Sequence, residues 1–192
     1  MDVTEILKNR ASAPWRILGE PGPSDDELRE LLEAAVSSPD HGAVRPWRFI
    51  VVRGGARGAL AELFTEALLK RKPDADEATI EKDRDRMSRV PLLIVVAARI
   101  SPNHPKVPAH EQLISTGLAA QAILLAAQSK GYGGIILTGD HAYDEHVKQG
   151  LGLQETDQIV AFVYIGTTEG EPRPKKRPDP AKFTVEWTGS TG

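Results

Sequence analysis

Two short polar segments carry the side chains with the most chemical reach. The first is Asn9-Arg10-Ala11-Ser12, at the end of a predicted helix. An Arg and a hydroxyl placed there can clamp a phosphate through charge-assisted hydrogen bonds. The same Arg can instead complement the negative end of the helix, and on physics alone that reading comes first. The second segment runs from Ser37 through Asp40, His41 and Arg45 to Trp47, beside an apolar stretch. It can hold a ligand, or it can be a solvated connection with Asp40 as its turn residue.

Other chemistries lack their residues. His41, His104, His110, His141 and His146 are scattered, and the last two are five apart, which does not put them on one helical face. There is no His-Glu-x-x-His, so a metal site is not expected. No Gly-x-Ser-x-Gly elbow occurs, and the chain has no Cys to act as nucleophile or thiolate ligand. Gly131-Tyr132-Gly133-Gly134 follows a helix and precedes a strand, the reverse of the order a dinucleotide fingerprint needs. It reads as a helix C-cap and turn.

The 192 residues carry 24 Lys+Arg against 27 Asp+Glu, a formal net charge of −3. Without a basic stripe, nucleic-acid binding is not expected. No segment approaches the ~18 apolar residues of a membrane span, and the first ten residues lack an apolar signal core. A cysteine-free chain is compatible with the reducing cytoplasm, which is the expected location.

The elements that must position these segments are read from periodicity. Met1 to Asn9 forms a short helix, and Arg10 to Pro23 a loop. Ser24 with Glu27 three residues on predicts a capping box opening a helix over Asp25 to Val36. Trp47 to Arg53 is a strand, and Ala56 to Lys72 a helix burying Leu60, Leu63, Phe64, Ala67 and Leu68. The charged stretch from Pro73 to Arg89 is partly helical. Leu92 to Ala98 is continuously apolar and suits a central strand buried on both faces. Ser101 to Pro108 is a loop, and His110 to Ser129 the longest helix. Its run from Ile114 to Ala127 is apolar or small nearly all round, which places it in the middle of the molecule or at a subunit contact. Ile135 to Leu137 is a short strand, His141 to Gly150 a short polar helix, and Gln158 to Gly166 a core strand. About five helices and three or four strands, not strictly alternating, predict an α+β fold. Residues 1–192 read as one domain, with about 168–192 an extended tail.

Taken in order, these motifs resemble the nitroreductase family, more narrowly its short members. The matching stretches are helix-Asn9-Arg10-x-Ser12, then Ser38-Pro39-Asp40-His41 with Pro46-Trp47-x-Phe49-x-Val51-Val52. Lys106-Val107-Pro108-x-x-Glu111-Gln112, Gly131 to Ile135, and Pro178-Asp179-Pro180 with Phe183 follow. The resemblance implies a mainly antiparallel sheet flanked by helices in a homodimer, with a long central helix at the interface. It implies one FMN in each of two interfacial clefts, reduced by NAD(P)H, with a nitroaromatic, a quinone or a similar small molecule as electron acceptor. Carried over by position, Arg10, Ala11 and Ser12 bind the FMN phosphate and ribityl. Ser37 and His41 contact the cofactor held mainly by the other subunit. Ile136, Leu137 and Thr138 lie beside the isoalloxazine, and a backbone N–H near Thr138 or Gly139 faces flavin N5. Residues 126–131 correspond to a stretch sometimes assigned to the nicotinamide. The chemistry resides on the flavin, so no catalytic side chain and no metal is implied.

The chain departs from the family pattern at Ala11, where a second Arg is common, and at Ser37, where relatives can carry Arg. Arg45 stands where many members have Gln. A phosphate of roughly −1.5 to −2 charges then needs another cation. Arg16, Arg45 and the run Lys175-Lys176-Arg177 are candidates, although the run reads first as a solvated cluster. Two alternatives stay open: a flavin-binding or flavin-sequestering dimer with little turnover, and a relative using flavin for a different reduction.

Overall fold

The computed structural model describes residues 2–170 and 176–189. Its helices are α1 (Val3–Asn9), α2 (Asp25–Val36), α3 (Ala56–Arg71), α4 (Glu77–Arg89), α5 (Ala109–Ser129) and α6 (Glu145–Gly150). Its strands are β1 (Leu18–Gly19), β2 (Trp47–Arg53), β3 (Leu92–Ala98), β4 (Gly133–Leu137) and β5 (Gln158–Thr168). They form a five-stranded sheet in which every pairing is antiparallel. β5 is the hub. β3 runs along one edge of it, with Leu92 opposite Ile165, and β4 along the other, with Gly133 opposite Gly166. β2 pairs with β3, Trp47 opposite Ala98, and β1 pairs with the far end of β5, Leu18 opposite Thr168.

Alternation along the strands makes two cores. Leu93, Val95, Phe162 and Tyr164 face one way and pack with Leu60, Phe64 and Ala67 of α3 and Met87 of α4. Ile94, Val96, Val163 and Ile165 face the other way, against Leu31 and Ala35 of α2 and Ala119, Ile123 and Ala127 of α5. All seven residues of β3 are buried, so the unbroken apolar run is a central strand as expected. Burying each of its larger side chains contributes about 1.5–3 kcal/mol. Both hydrogen bonds of the capping box at Ser24 and Glu27 are present. Gly134 lets β4 approach its neighbours, because a Cβ there would lie 2.6 Å from Leu124 Cδ1 and 2.9 Å from the Tyr164 carbonyl.

Three expectations are corrected. The loop from Arg10 to Pro23 contains β1, whose two residues are too few to leave a periodic signal. The sheet therefore has five strands rather than three or four. The segment from His141 to Gly150 is not one polar helix. A 3-10 turn (Asp140–Tyr143) precedes α6, and Asp144 caps α6 by accepting from the amides of His146 and Val147. Of the basic run in the tail, Lys175 lies outside the described residues.

Several apolar groups are uncovered. On α5, opposite its buried face, Ile114 is 59% and Leu118 40% exposed. α1 has no buried residue, and Val3 and Leu7 are exposed. In the tail, Phe183, Val185 and Trp187 are 77%, 92% and 81% exposed. No helix among the described residues is long and apolar enough to cross a membrane.

Candidate active site

The chain positions the predicted residues in two groups. The first gathers where α1 ends beside β4. The Ala13 amide donates to the Gly134 carbonyl at 3.0 Å, which pins the segment after α1 to that strand. Arg10 turns its guanidinium back on Ser12, Nη1 to Oγ 3.3 Å, and both residues are half-buried. Ala11 lies between them, also half-buried. The guanidinium of Arg177 donates to the Arg10 carbonyl. Two guanidinium-bearing residues and a hydroxyl thus share one corner of the molecule.

β4 leads from that corner to the other residues of the first group. Ile135 and Leu137 turn toward the core containing Phe64 and Phe162. Alternation sends Ile136 to the opposite face, where it is 37% exposed. Leu137 therefore has its backbone, not its side chain, to offer a ligand. Thr138 and Gly139 are exposed. Gly139 has φ 69° and ψ −172°, a conformation that is essentially glycine's alone. Its amide donates to no acceptor among the described residues.

The second group sits at the start of α5. Ser37 caps α2, donating its hydroxyl to the Glu33 carbonyl at 2.8 Å. Asp40 accepts from the Arg45 amide at 2.7 Å, closing the loop as the turn reading expects. His41 pairs through Nδ1 with Glu111 Oε2 on the first turn of α5. That contact leaves Nε2 free to face outward, and the His41 side chain is 58% exposed. Beneath the loop, buried Gln112 accepts from the Ser101 amide and donates to the Ser101 and Val107 carbonyls. Gln112 thereby fixes the stretch on which His41 rests.

Among the described residues, no hydrogen bond or ion pair joins Ser37 or His41 to Arg10, Ser12 or residues 136–139. Arg177, named with its run as a candidate cation though read first as solvated, is exposed and bonds the Arg10 carbonyl. The only signal was its charge, because a contact across 167 residues leaves no spacing to read. Arg16 lies 4.4 Å from the Trp15 ring, and Arg45 is held by its own loop. Among the described residues, no group of His, Asp and Glu could hold a metal ion.

The Nitroreductase family model matches residues 8–167. An Escherichia coli (strain K12) protein named "Putative NAD(P)H nitroreductase YdjA" is 36% identical over 186 residues, covering 96% of this chain and 99% of that protein. A Haemophilus influenzae protein named "Putative NAD(P)H nitroreductase" is 33% identical over 87% of this chain and 89% of its own length. Among solved structures, a nitroreductase-like family protein from Bacillus cereus superposes with a TM-score of 0.83 at 23% identity, covering 98% of this chain and 97% of that one. The FMN and NADPH-dependent nitroreductase NfnB of sphigopyxis sp. strain HMH gives 0.75 at 16% identity, over 99% and 100% of the two chains. The last two speak to the fold alone. With the family match spanning most of the chain and close relatives covering nearly all of it, the protein belongs to the nitroreductase family and is an oxidoreductase.

Proposed function

We propose that the protein is a cytoplasmic homodimer that binds FMN in two clefts and passes hydride from NAD(P)H to a small electron acceptor such as a nitroaromatic or a quinone. The observation that supports this reading best is the placement of Arg10, Ser12 and Arg177 at one corner beside β4, on which Ile136 lies exposed. The residues present fit the cofactor. Arg10, Ser12 and Arg177 form a cationic, hydroxyl-bearing corner suited to a phosphate. Arg177 offsets the cations missing at Ala11 and Ser37. Ile136 offers an exposed apolar surface for a flat ring, and the Gly139 amide is an unused donor at its edge.

In the assembled site these residues bind and orient. Arg10 and Arg177 would hold the phosphate, and the backbone from Ile136 on β4 to Gly139 just beyond it would line the ring. Ser37 and His41 of the second copy close the cleft from the opposite side. Bound FMN supplies the two-electron redox chemistry, and the protein contributes position, electrostatics and access. No side-chain acid or base is required for hydride transfer itself.

The dimer reading draws on the uncovered apolar groups. Ile114 and Leu118 lie on the outer face of the longest helix, and Phe183, at the end of a 3-10 turn, is followed by exposed Val185 and Trp187 in the tail. A second copy would cover both. Stable dimers commonly bury more than ~2,000 Å².

Purified protein titrated with FMN, then mixed rapidly with NADH or NADPH, tests the function. The expected result is flavin absorbance that bleaches on mixing and returns when an acceptor is added. Binding without bleaching by either nicotinamide would instead support the flavin-sequestering alternative. No binding would remove the proposal.

A further inference from the structure

Beyond β4 and Gly139, the chain turns back into the protein at His141. His141 Nε2 meets Asp83 Oδ2 of α4 at 2.8 Å. Its ring stacks on Phe64 of α3, with centroids 4.1 Å apart and planes 6° from parallel. Asp83 is buried, and its other oxygen lies 3.3 Å from Arg86 Nη2. At the far end of the turn, Asp144 pairs with Arg71 of α3, whose Nη2 also stands 3.5 Å from His141 Nδ1. The turn is gripped from beneath while Thr138, Gly139 and Asp140 stay exposed.

We propose that the Asp83–His141 pair is a positioning device for the cofactor cleft, fixing the turn so that the Gly139 amide presents its N–H to N5 of a bound flavin. The proposal rests on the flavin reading above. Apolar packing by Ile80 and Met87 already seats α4. Such packing leaves the angle of the turn loose, whereas a directional hydrogen bond to a buried carboxylate sets it. Burial alone would push the Asp83 carboxyl up; the hydrogen bond and charge of His141, with Arg86 and Lys82, bring its pKa below the ordinary value. The acceptor is therefore an anion, and the bond to His141 is charge-assisted and directional. Donors held rigidly before the ligand arrives cost no reorganisation when it does.

The test uses Asp83→Asn and His141→Phe, the latter retaining a ring against Phe64. Met87→Ala in the same helix is the control for a simple loss of packing. Two quantities are read: amide hydrogen exchange over residues 138–143 in the apoprotein, and the ratio of affinities for oxidised and reduced FMN. A backbone N–H suits the N5 lone pair of the oxidised ring and opposes the N5–H of the reduced one. Loosening the turn therefore weakens oxidised binding selectively. Both variants should exchange faster over this segment and lose about tenfold in the oxidised-to-reduced preference. For a two-electron couple that is a rise of about 30 mV in midpoint potential. Met87→Ala should lose thermal stability with the ratio unchanged. If the two variants behave like Met87→Ala, the positioning role is overturned while the flavin reading stands. If the wild-type protein binds no FMN, both fall together, and the wild-type measurement alone identifies that case.

Discussion

The guanidinium of Arg177 rests on the main-chain carbonyl of Arg10, 167 residues earlier in the chain. Arg10 itself points at Ser12, so two cations are brought to one corner, and neither forms an ion pair among the described residues. Positive groups gathered in this way repel, and an anionic ligand relieves the repulsion. The tail thus contributes charge beside Ala11, which provides none.

Arg10→Ala should weaken FMN binding roughly ten- to hundred-fold. The estimate comes from charge-assisted hydrogen bonds worth about 1.5–3 kcal/mol. Arg177→Ala should act in the same direction, and the double variant should fall short of the sum, because both side chains serve one phosphate. Riboflavin, which lacks the phosphate, should bind wild type poorly and be indifferent to either change. Equal losses for riboflavin and FMN in calorimetric titrations would show that the phosphate lies elsewhere.

His41 is expected to bind the cofactor rather than donate a proton. Glu111 engages Nδ1 and so orients the ring, with Nε2 outward. His41→Asn should change FMN affinity or the flavin potential and leave the shape of the pH–rate profile of acceptor reduction as in wild type, measured at saturating FMN. If the mutant loses an ionisation near neutral pH while FMN binding is unchanged, His41 is an acid catalyst instead.

Acid should uncover the Asp83 contribution to stability. Its carboxyl titrates below the ordinary value in the folded protein, because His141, Arg86 and Lys82 together outweigh burial. A depressed carboxylate contributes fully above its unfolded-state pKa, about 4, and loses that contribution as pH falls through the lower folded-state value. At pH 6, Asp83→Asn should be less stable than wild type by roughly 1.5–3 kcal/mol in urea unfolding, the worth of a charged hydrogen bond. The gap should narrow steadily below about pH 4. A gap that stays constant down to pH 3 would show that Asp83 carries no net charge interaction.

Local rules made much of this architecture readable. Ser24 and Glu27 announce α2 because a capping box is written in four consecutive residues. The run from Leu92 to Ala98 announces β3 because a strand covered on both faces has no polar positions to interrupt it. β1 stayed hidden because the partner residues Thr167 and Thr168, not its own two residues, make it a strand. The same limit governs the site. The segments at Arg10 and His41 were visible as motifs, but Arg177 reaches Arg10 only through the fold. His141 finds Asp83 across 58 residues by a packing of α4 against the turn that no periodicity encodes.

Leu118 offers the most direct test of assembly. It lies one helical turn beyond Ile114 on the face of α5 opposite the buried Ala119, Ile123 and Ala127, and it is 40% exposed in a single copy. A carboxylate there would be desolvated by a second copy but would remain hydrated in a monomer, so Leu118→Glu penalises association and spares the fold. Wild type should sediment as a dimer at micromolar concentration. The variant should sediment as a monomer with the helical content of wild type. Its FMN affinity should also drop by more than tenfold, because in the proposed assembly Ser37 and His41 reach the cleft from the other copy. Monomeric Leu118→Glu that binds FMN as wild type does would show that one chain completes its own cleft.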